Sequence, residues 1–348
     1  MFKKYLPYIR TELRKIFNGK IIAVKGRGGM GNRISAVLTG IVYSRLTKRR
    51  LIVDWHDLTY SKRGINAFHQ FFTSPDVDKK LEIPYTTSIA PSIWQNRPRR
   101  SISSMIRLFG PDHYDPQEFK RRYSIDLSRI DYTEEVLVMF GYRFDWREIH
   151  GHFARAPREW RNLDKLSLMR MLLKKHLFPH PSIQRKVDEF KTRYFKGPVI
   201  GVHIRYTDNK EHPERTPSIE RFPYIIDRLV GISPESRIFL ATDNLKILEN
   251  YHNKYKNVIT TEKWHPPGGE ERLHSNIECP DRLQNGIEAL TDMYLLAQCD
   301  YLVYSSTSTF ARLVRLLSSL DDSRIFNIER WKIFEDRLKT LSNTRRNP

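Results

Sequence analysis

Residues 199–209, VIGVHIRYTDN, set the strictest condition on how this chain can fold. Val199, Ile200, Val202 and Ile204 are all apolar and β-branched, the signature of a buried strand. The run then delivers His203, Arg205 and Asp208 at or just beyond its carboxyl end. In an open α/β sheet that end is where ligands bind. Charged groups there need partners, because an unpaired buried charge is very costly. Two readings follow: an ion pair closing the sheet edge, or an arginine, Arg205, facing an anionic ligand.

The rest of the second half alternates regularly. A helix over 219–230 precedes a strand over 237–242 that ends at Asp243. A helix over 245–255, a strand over 257–261 and a helix over 284–298 carrying Asp292 come next. A strand over 301–305 opens into SSTST and a helix over 310–319, followed by a strand over 324–328 and a closing helix over 331–341. Such alternation predicts a parallel sheet covered on both faces.

The first half begins with a strand over 20–25 that runs into GRGGMG at 26–31, then a helix, then a strand over 50–55 containing Asp54. This is a βαβ unit. Gly26, Gly28 and Gly31 satisfy G-x-G-x-x-G, with Asp54 about 20 residues on, so an NAD-dependent oxidoreductase is one alternative. Any tight strand-to-helix turn recruits glycine, however, so the match shows only a backbone free to approach a ligand. Between 57 and 160 the pattern is weak. Aromatic pieces alternate with proline turns, Arg97, Arg99, Arg100 and Arg107 cluster, and 136–142 reads as a strand. Helices over 166–177 and 183–194 flank Pro179 and Pro181, which places a boundary near 180. The expected architecture is α/β: two Rossmann-like domains facing across a cleft (GT-B-type), 1–180 and 181–348.

At 348 residues the chain can build two cores, and its net charge of +20 favours acidic partners. A basic nucleic-acid-binding protein is therefore a second alternative. Two cysteines, Cys279 and Cys299, make neither a disulfide framework nor a zinc cluster and suit a reducing compartment. No apolar run approaches the ~18 residues of a membrane span, and charges interrupt any signal-peptide core. Residues 2–17 place Phe2, Leu6, Ile9, Leu13 and Phe17 on one helical face and basic residues on much of the rest. Such a helix packs on its own domain or makes peripheral contact with an anionic membrane. A cytoplasmic protein, at most peripheral to the inner face of the membrane, is expected.

Three strand ends of the second half carry polar groups: His203, Arg205 and Asp208; Asp243 and Asn244; and 305–309. In a parallel sheet they share one edge. The SSTST turn at a helix start offers hydroxyls and N–H groups to an anion, and Arg205 can grip phosphate oxygens in bidentate fashion. Carboxylates nearby suit ribose hydroxyls or the amino edge of guanine. No P-loop and no carboxylate cluster with metal spacing occurs in the sequence, so a nucleotide diphosphate would be balanced by arginine and helix N-termini. The alternative readings are that Asp243 caps the helix after it and that Asp292 forms an i,i+4 pair within its helix.

The segments GGMGNR, GVHIRYTD, LATDN and DYLVYSSTSTFAR together resemble the NodZ-like and α1,6-fucosyltransferase family of GDP-fucose-dependent enzymes. The likeness runs from about residue 21 to about 319 and is loose between 60 and 180. It implies a metal-independent, inverting transfer of fucose from GDP-fucose to an oligosaccharide or glycolipid-type acceptor, with no cofactor and no nucleic acid. By resemblance Arg205 contacts the β-phosphate, and His203 and Asp292 hold the guanine. Asp243 lies in the A-T-D motif, Ser308 and Thr309 in the phosphate-contacting turn, and Gly29, Gly31 and Asn32 in the first domain's glycine turn. The catalytic base falls in the loop after Asp208, where Glu211 and Glu214 are available and Glu214 is preferred. The chain departs from the pattern at Tyr206, where several relatives have a second arginine, and at Pro213, which aligns with the base of the N-glycan enzymes.

Overall fold

β1 (Ile21–Lys25) is buried along its whole length, and α1 (Met30–Thr47) is buried on nearly every side. A helix enclosed in this way must settle its polar side chains internally. Ser35 Oγ donates to Gly31 O at 2.9 Å, Thr39 Oγ1 to Ser35 O at 3.1 Å and Ser44 Oγ to Ile41 O at 2.8 Å. Gly40 lets α1 lie close against β1, since a Cβ there would meet Val24 Cγ2 at 2.4 Å. The computed structural model describes residues 19–111, 113, 115–206, 218–266 and 278–330. The helix expected over 2–17, the loop with Asp208, Glu211, Pro213 and Glu214, and the closing helix over 331–341 lie outside the described residues.

The chain divides into two compact units, Met1–His180 and Pro181–Pro348. In the first, β2 (Arg50–Asp54) follows α1, and α2 (Phe68–Phe71) leads into β3 (Phe72–Thr73). β4 (Ile89–Ala90), α3 (Ile102–Phe109), α4 (Pro116–Tyr123) and β5 (Val136–Met139) come next. α5 (Trp146–Ile149), α6 (Lys165–Lys175) and β6 (Phe178–Pro179) complete the unit. Its parallel sheet has the order β2-β1-β5-β4, and β3 pairs antiparallel with β6. The segment with the weakest sequence pattern folds into α3 and α4 around Trp94, whose Nε1 donates to Tyr123 O at 2.9 Å. Trp94, Ile102, Met105 and Tyr123 there join Ala23, Val136 and Val138 of the sheet in one core.

The second unit starts with α7 (Pro181–Tyr194) and β7 (Val199–Ile204). α8 (Arg221–Ile232), β8 (Arg237–Thr242), α9 (Leu245–Lys254) and β9 (Val258–Ile259) follow. α10 (Arg282–Leu296), β10 (Tyr301–Tyr304), α11 (Thr309–Leu317) and β11 (Ile325–Asn327) end the described chain. All five strands are parallel, in the order β11-β10-β7-β8-β9. Alternation along β7 sorts its side chains between two faces. Ile200, Val202 and Ile204 enter a core with Phe222, Ile225 and Leu229 of α8. Gly201 faces the other way, where a Cβ would meet Cys299 Sγ at 2.8 Å and Leu296 Cδ2 at 3.3 Å. His203 therefore emerges on the α10 and α11 side. No helix among the described residues is long and apolar enough to cross a membrane.

Candidate active site

In the first unit the glycine turn joins β1 to α1. Gly28 sits at φ +72°, and Gly29 is the N-cap of α1 with no side-chain cap. Gly31 and Asn32 lie in the first turn of α1, and Gly29 O accepts from the N–H groups of Asn32 and Arg33 at 3.0 and 3.2 Å. Arg33 anchors the turn: its Nε donates to Gly28 O at 2.8 Å, and its guanidinium forms a buried ion pair with Asp57. Arg27 points elsewhere, its Nε donating to Tyr142 Oη at 2.7 Å and one terminal nitrogen to Ser103 Oγ at 3.2 Å.

Asp54 is engaged differently from a ribose-binding acid. Lys25 Nζ lies 2.5 Å from its Oδ2, both side chains are buried, and His56 Nδ1 is 2.7 Å from Oδ1. Burial pushes the Asp54 carboxyl up, but Lys25 and the hydrogen bonds from His56 and Lys25 outweigh it and hold it well below the usual carboxylate range. A carboxylate so occupied does not suit the dinucleotide alternative.

In the second unit the strand registers align one row across four strands. His203 pairs with Ala241 of β8 and Tyr304 of β10, and Tyr304 pairs with Asn327 of β11. The functional groups rise from this carboxyl edge. The His203 ring stacks on Phe310 with centroids 5.0 Å apart and planes 21° apart. Burial, with the positive charges of Arg205 and Lys263, lowers its pKa to about 3, so the ring is neutral. His203 Nδ1 is buried with no hydrogen-bond partner among the described residues. Arg205, two residues on, is half-buried at the strand exit. The N–H of Tyr206 donates to Asp243 Oδ1 at 2.9 Å, which fixes the backbone directly after Arg205. Asp243 is thus not the helix cap. That part falls to Asn244, whose side chain accepts from Ile247 N–H at 3.1 Å.

Asp292 does not form an i,i+4 pair. Its Oδ1 accepts from Thr261 Oγ1 at 2.6 Å and its Oδ2 from Lys263 Nζ, with both side chains of the ion pair buried. Glu288, one helical turn earlier, accepts from Trp264 N–H and Gln284 Nε2, and burial raises its pKa. Burial and Lys263 together lower the pKa of His265, which follows Trp264 in the same loop.

The SSTST turn is held by β11 and the residues after it. Ser306 N–H donates to Asn327 Oδ1 at 3.1 Å, and Ser305 Oγ to Glu329 Oε1 at 2.8 Å. Ser308 caps α11, its Oγ accepting from Ala311 N–H at 3.4 Å, and Thr309 opens the helix. With Ala311 and Arg312 bonded back to Ser308, the N–H groups of Thr309 and Phe310 have no intrahelical acceptor and suit an anion. The fold thus gathers His203, Arg205, Asp243, Asp292, Ser308 and Thr309 on one sheet edge of the second unit, while Gly29, Gly31 and Asn32 belong to the first unit. Glu214 lies outside the described residues. Lys263, Phe310, Asn327 and Glu329 escaped the sequence reading. Lys263 looked like any loop charge, and only folding brings it to α10. Among the described residues no group of three or more His, Cys, Asp or Glu could hold a metal ion.

Residues 160–332 match the family model described as Nodulation protein Z (NodZ). Nodulation protein Z of Azorhizobium caulinodans is 25% identical over 324 residues, covering 86% of this chain and 89% of its own. That of Bradyrhizobium diazoefficiens is 24% identical over 340 residues, covering 90% and 84%. Among solved structures, NodZ α-1,6-fucosyltransferase soaked with GDP-fucose superposes with a TM-score of 0.57 at 22% identity, covering 86% of this chain and 92% of its own. POFUT1 in complex with GDP-fucose gives a TM-score of 0.52 at 14% identity, covering 89% and 98%. The structural likenesses establish the shared fold. The sequence matches point the same way, to NodZ, which its solved structure describes as an α-1,6-fucosyltransferase. The chain is thus similar to the NodZ proteins in sequence and in fold.

Proposed function

We propose that this chain transfers fucose from GDP-fucose to a saccharide acceptor, with inversion and without a metal ion. The convergence of His203, Arg205, Asp292 and the Ser308-capped helix start on one edge of the second sheet carries this reading. Departure of GDP builds negative charge on the β-phosphate. Arg205 and the N–H groups of Thr309 and Phe310 stabilise that charge, and more strongly in the transition state than in the ground state. A neutral His203 keeps one ring nitrogen as acceptor, which suits the donors of a guanine edge. Asp243 holds the strand exit from which Arg205 projects. Residues 181–348 serve as the nucleotide-sugar domain and 1–180 as the acceptor side. Glu214 is the proposed base that takes the acceptor proton.

The protein acts in the cytoplasm on an oligosaccharide or glycolipid-type acceptor, with residues 2–17 touching an anionic membrane surface. The test is donor hydrolysis and product mass with a panel of GDP-sugars, with and without EDTA. Fucose transfer that survives EDTA supports the reading. Transfer abolished by EDTA and restored by a divalent ion rejects the metal-free mechanism, and preference for another GDP-sugar rejects the donor.

A further inference from the structure

We propose that Lys263 is a specificity-determining residue that reads the six-position of the nucleotide base beside Asp292. The inference rests on the nucleotide-site reading above. Lys263 reaches the sheet edge from the loop after β9, with its side chain only 6% exposed and that of Asp292 7%. Its ammonium has three donors, of which one is given to Asp292 Oδ2, while Thr242 O lies at 3.5 Å, the outer limit of a hydrogen bond. The Asp292 carboxylate accepts from Thr261 and Lys263, one bond to each oxygen, and keeps further lone pairs. Lys263 also sits close enough to His203 to help keep that imidazole neutral, so the three groups share one corner of the edge.

A cationic donor beside an anionic acceptor complements guanine, which presents the O6 acceptor next to its N1–H and 2-amino donors. Lys263 Nζ donates to O6, and Asp292 accepts from N1–H and the 2-amino group. Adenine would turn its 6-amino N–H toward the ammonium and leave it without an acceptor. A buried lysine–aspartate pair brings no general gain in stability over apolar packing, and this pair lies where the ligand-facing groups converge rather than in the core.

The test is isothermal titration of GDP, IDP and ADP against the wild-type chain, Lys263→Met and Lys263→Arg. IDP keeps O6 and N1–H but lacks the 2-amino group, whereas ADP replaces O6 with an amino group. Lys263→Met is expected to weaken GDP and IDP about tenfold or more, the value of one hydrogen bond to a charged group, and to leave ADP within about twofold. The GDP-over-ADP preference then collapses while the GDP-to-IDP ratio persists, and Lys263→Arg keeps most of both. Equal weakening of all three nucleotides, or no change in any, overturns the assignment and leaves Lys263 a structural partner of Asp292. Should the methionine variant fail to fold, Lys263→Gln replaces it: its uncharged amide can donate or accept, so the preference should relax, and an undiminished preference overturns the proposal. A wild-type chain that binds no GDP rejects the nucleotide site itself, an outcome distinct from failure of the Lys263 role.

Discussion

The imidazole of His203 lies nearly parallel to the ring of Phe310, 5.0 Å between centroids, so the penultimate residue of the buried strand β7 stacks on the first turn of α11. Burial and the cations Arg205 and Lys263 hold its pKa at about 3, against an unfolded value near 6.5. The unfolded chain therefore binds a proton between about pH 6.5 and 3 that the folded chain refuses. The stability His203 contributes is complete above pH 6.5 and falls as pH drops through that window, by up to about 1.4 kcal/mol per pH unit. Urea unfolding of the wild type and of His203→Gln at pH 7.5, 6 and 5 should show a steeper acid loss in the wild type. Parallel pH profiles would contradict the buried neutral ring.

Arg205→Ala should lower kcat for fucose transfer about a hundred- to a thousandfold, as loss of a preorganised oxyanion donor does. The folded state should persist, because the residue is half-buried beyond the strand and outside the apolar core. Steady-state kinetics and circular dichroism on the same preparation separate the two effects. Unchanged turnover would discard the role.

Lys25 and Asp54 meet at the ends of β1 and β2, with Lys25 Nζ also donating to Pro98 O at 2.6 Å. Lys25→Met leaves a buried carboxylate without its cation and should cost about 3–5 kcal/mol. The double variant Lys25→Met with Asp54→Leu should regain most of that, because apolar packing replaces the pair. Chemical denaturation of the three proteins checks both figures.

Gly26→Ala drives a Cβ to 2.2 Å from the Arg33 guanidinium and 2.8 Å from Trp55 Cδ1. Arg33 cannot move aside without breaking its buried pair with Asp57. A loss of about 1–3 kcal/mol is expected from the overpacking, read as a lowered melting temperature. A variant as stable as the wild type would show that the turn has slack.

Ser308 separates cap from ligand contact. Ser308→Ala should cost about 1 kcal/mol of stability through the lost cap. Ser308→Asp keeps a good cap, so its melting temperature should hold, but its charge at the proposed phosphate site should weaken GDP binding at least about tenfold. Titration calorimetry beside thermal melts distinguishes them, and intact GDP binding in the aspartate variant would remove the phosphate from this helix end.

The second unit was legible because each of its longer elements is periodic in its own residues. The strand over Arg237–Thr242 and the helix over Leu245–Lys254 fall where apolar spacing and turn residues put them. In residues 57–160 only the strand over Val136–Met139 was legible. α3 and α4 are short, and what orders them is Trp94 bonding to Tyr123 across 29 positions, a contact no local pattern announces. Asp243 shows the same limit within the site. Its place after a strand suggested a cap, yet the cap is Asn244, and the Asp243 carboxylate reaches Tyr206 instead.

By itself the sequence determined that two βα-alternating halves would each form a parallel sheet, and that one strand would carry His203 and Arg205 to its carboxyl end. Period-two apolar runs and glycine turns are local, and the backbone obeys them wherever it folds. Only the tertiary structure decided which groups meet there. Lys263 against Asp292, Phe310 over His203 and Asn327 beneath the hydroxyl turn come from separate segments. Strand order and register, set by packing across the whole core, bring them within bonding distance.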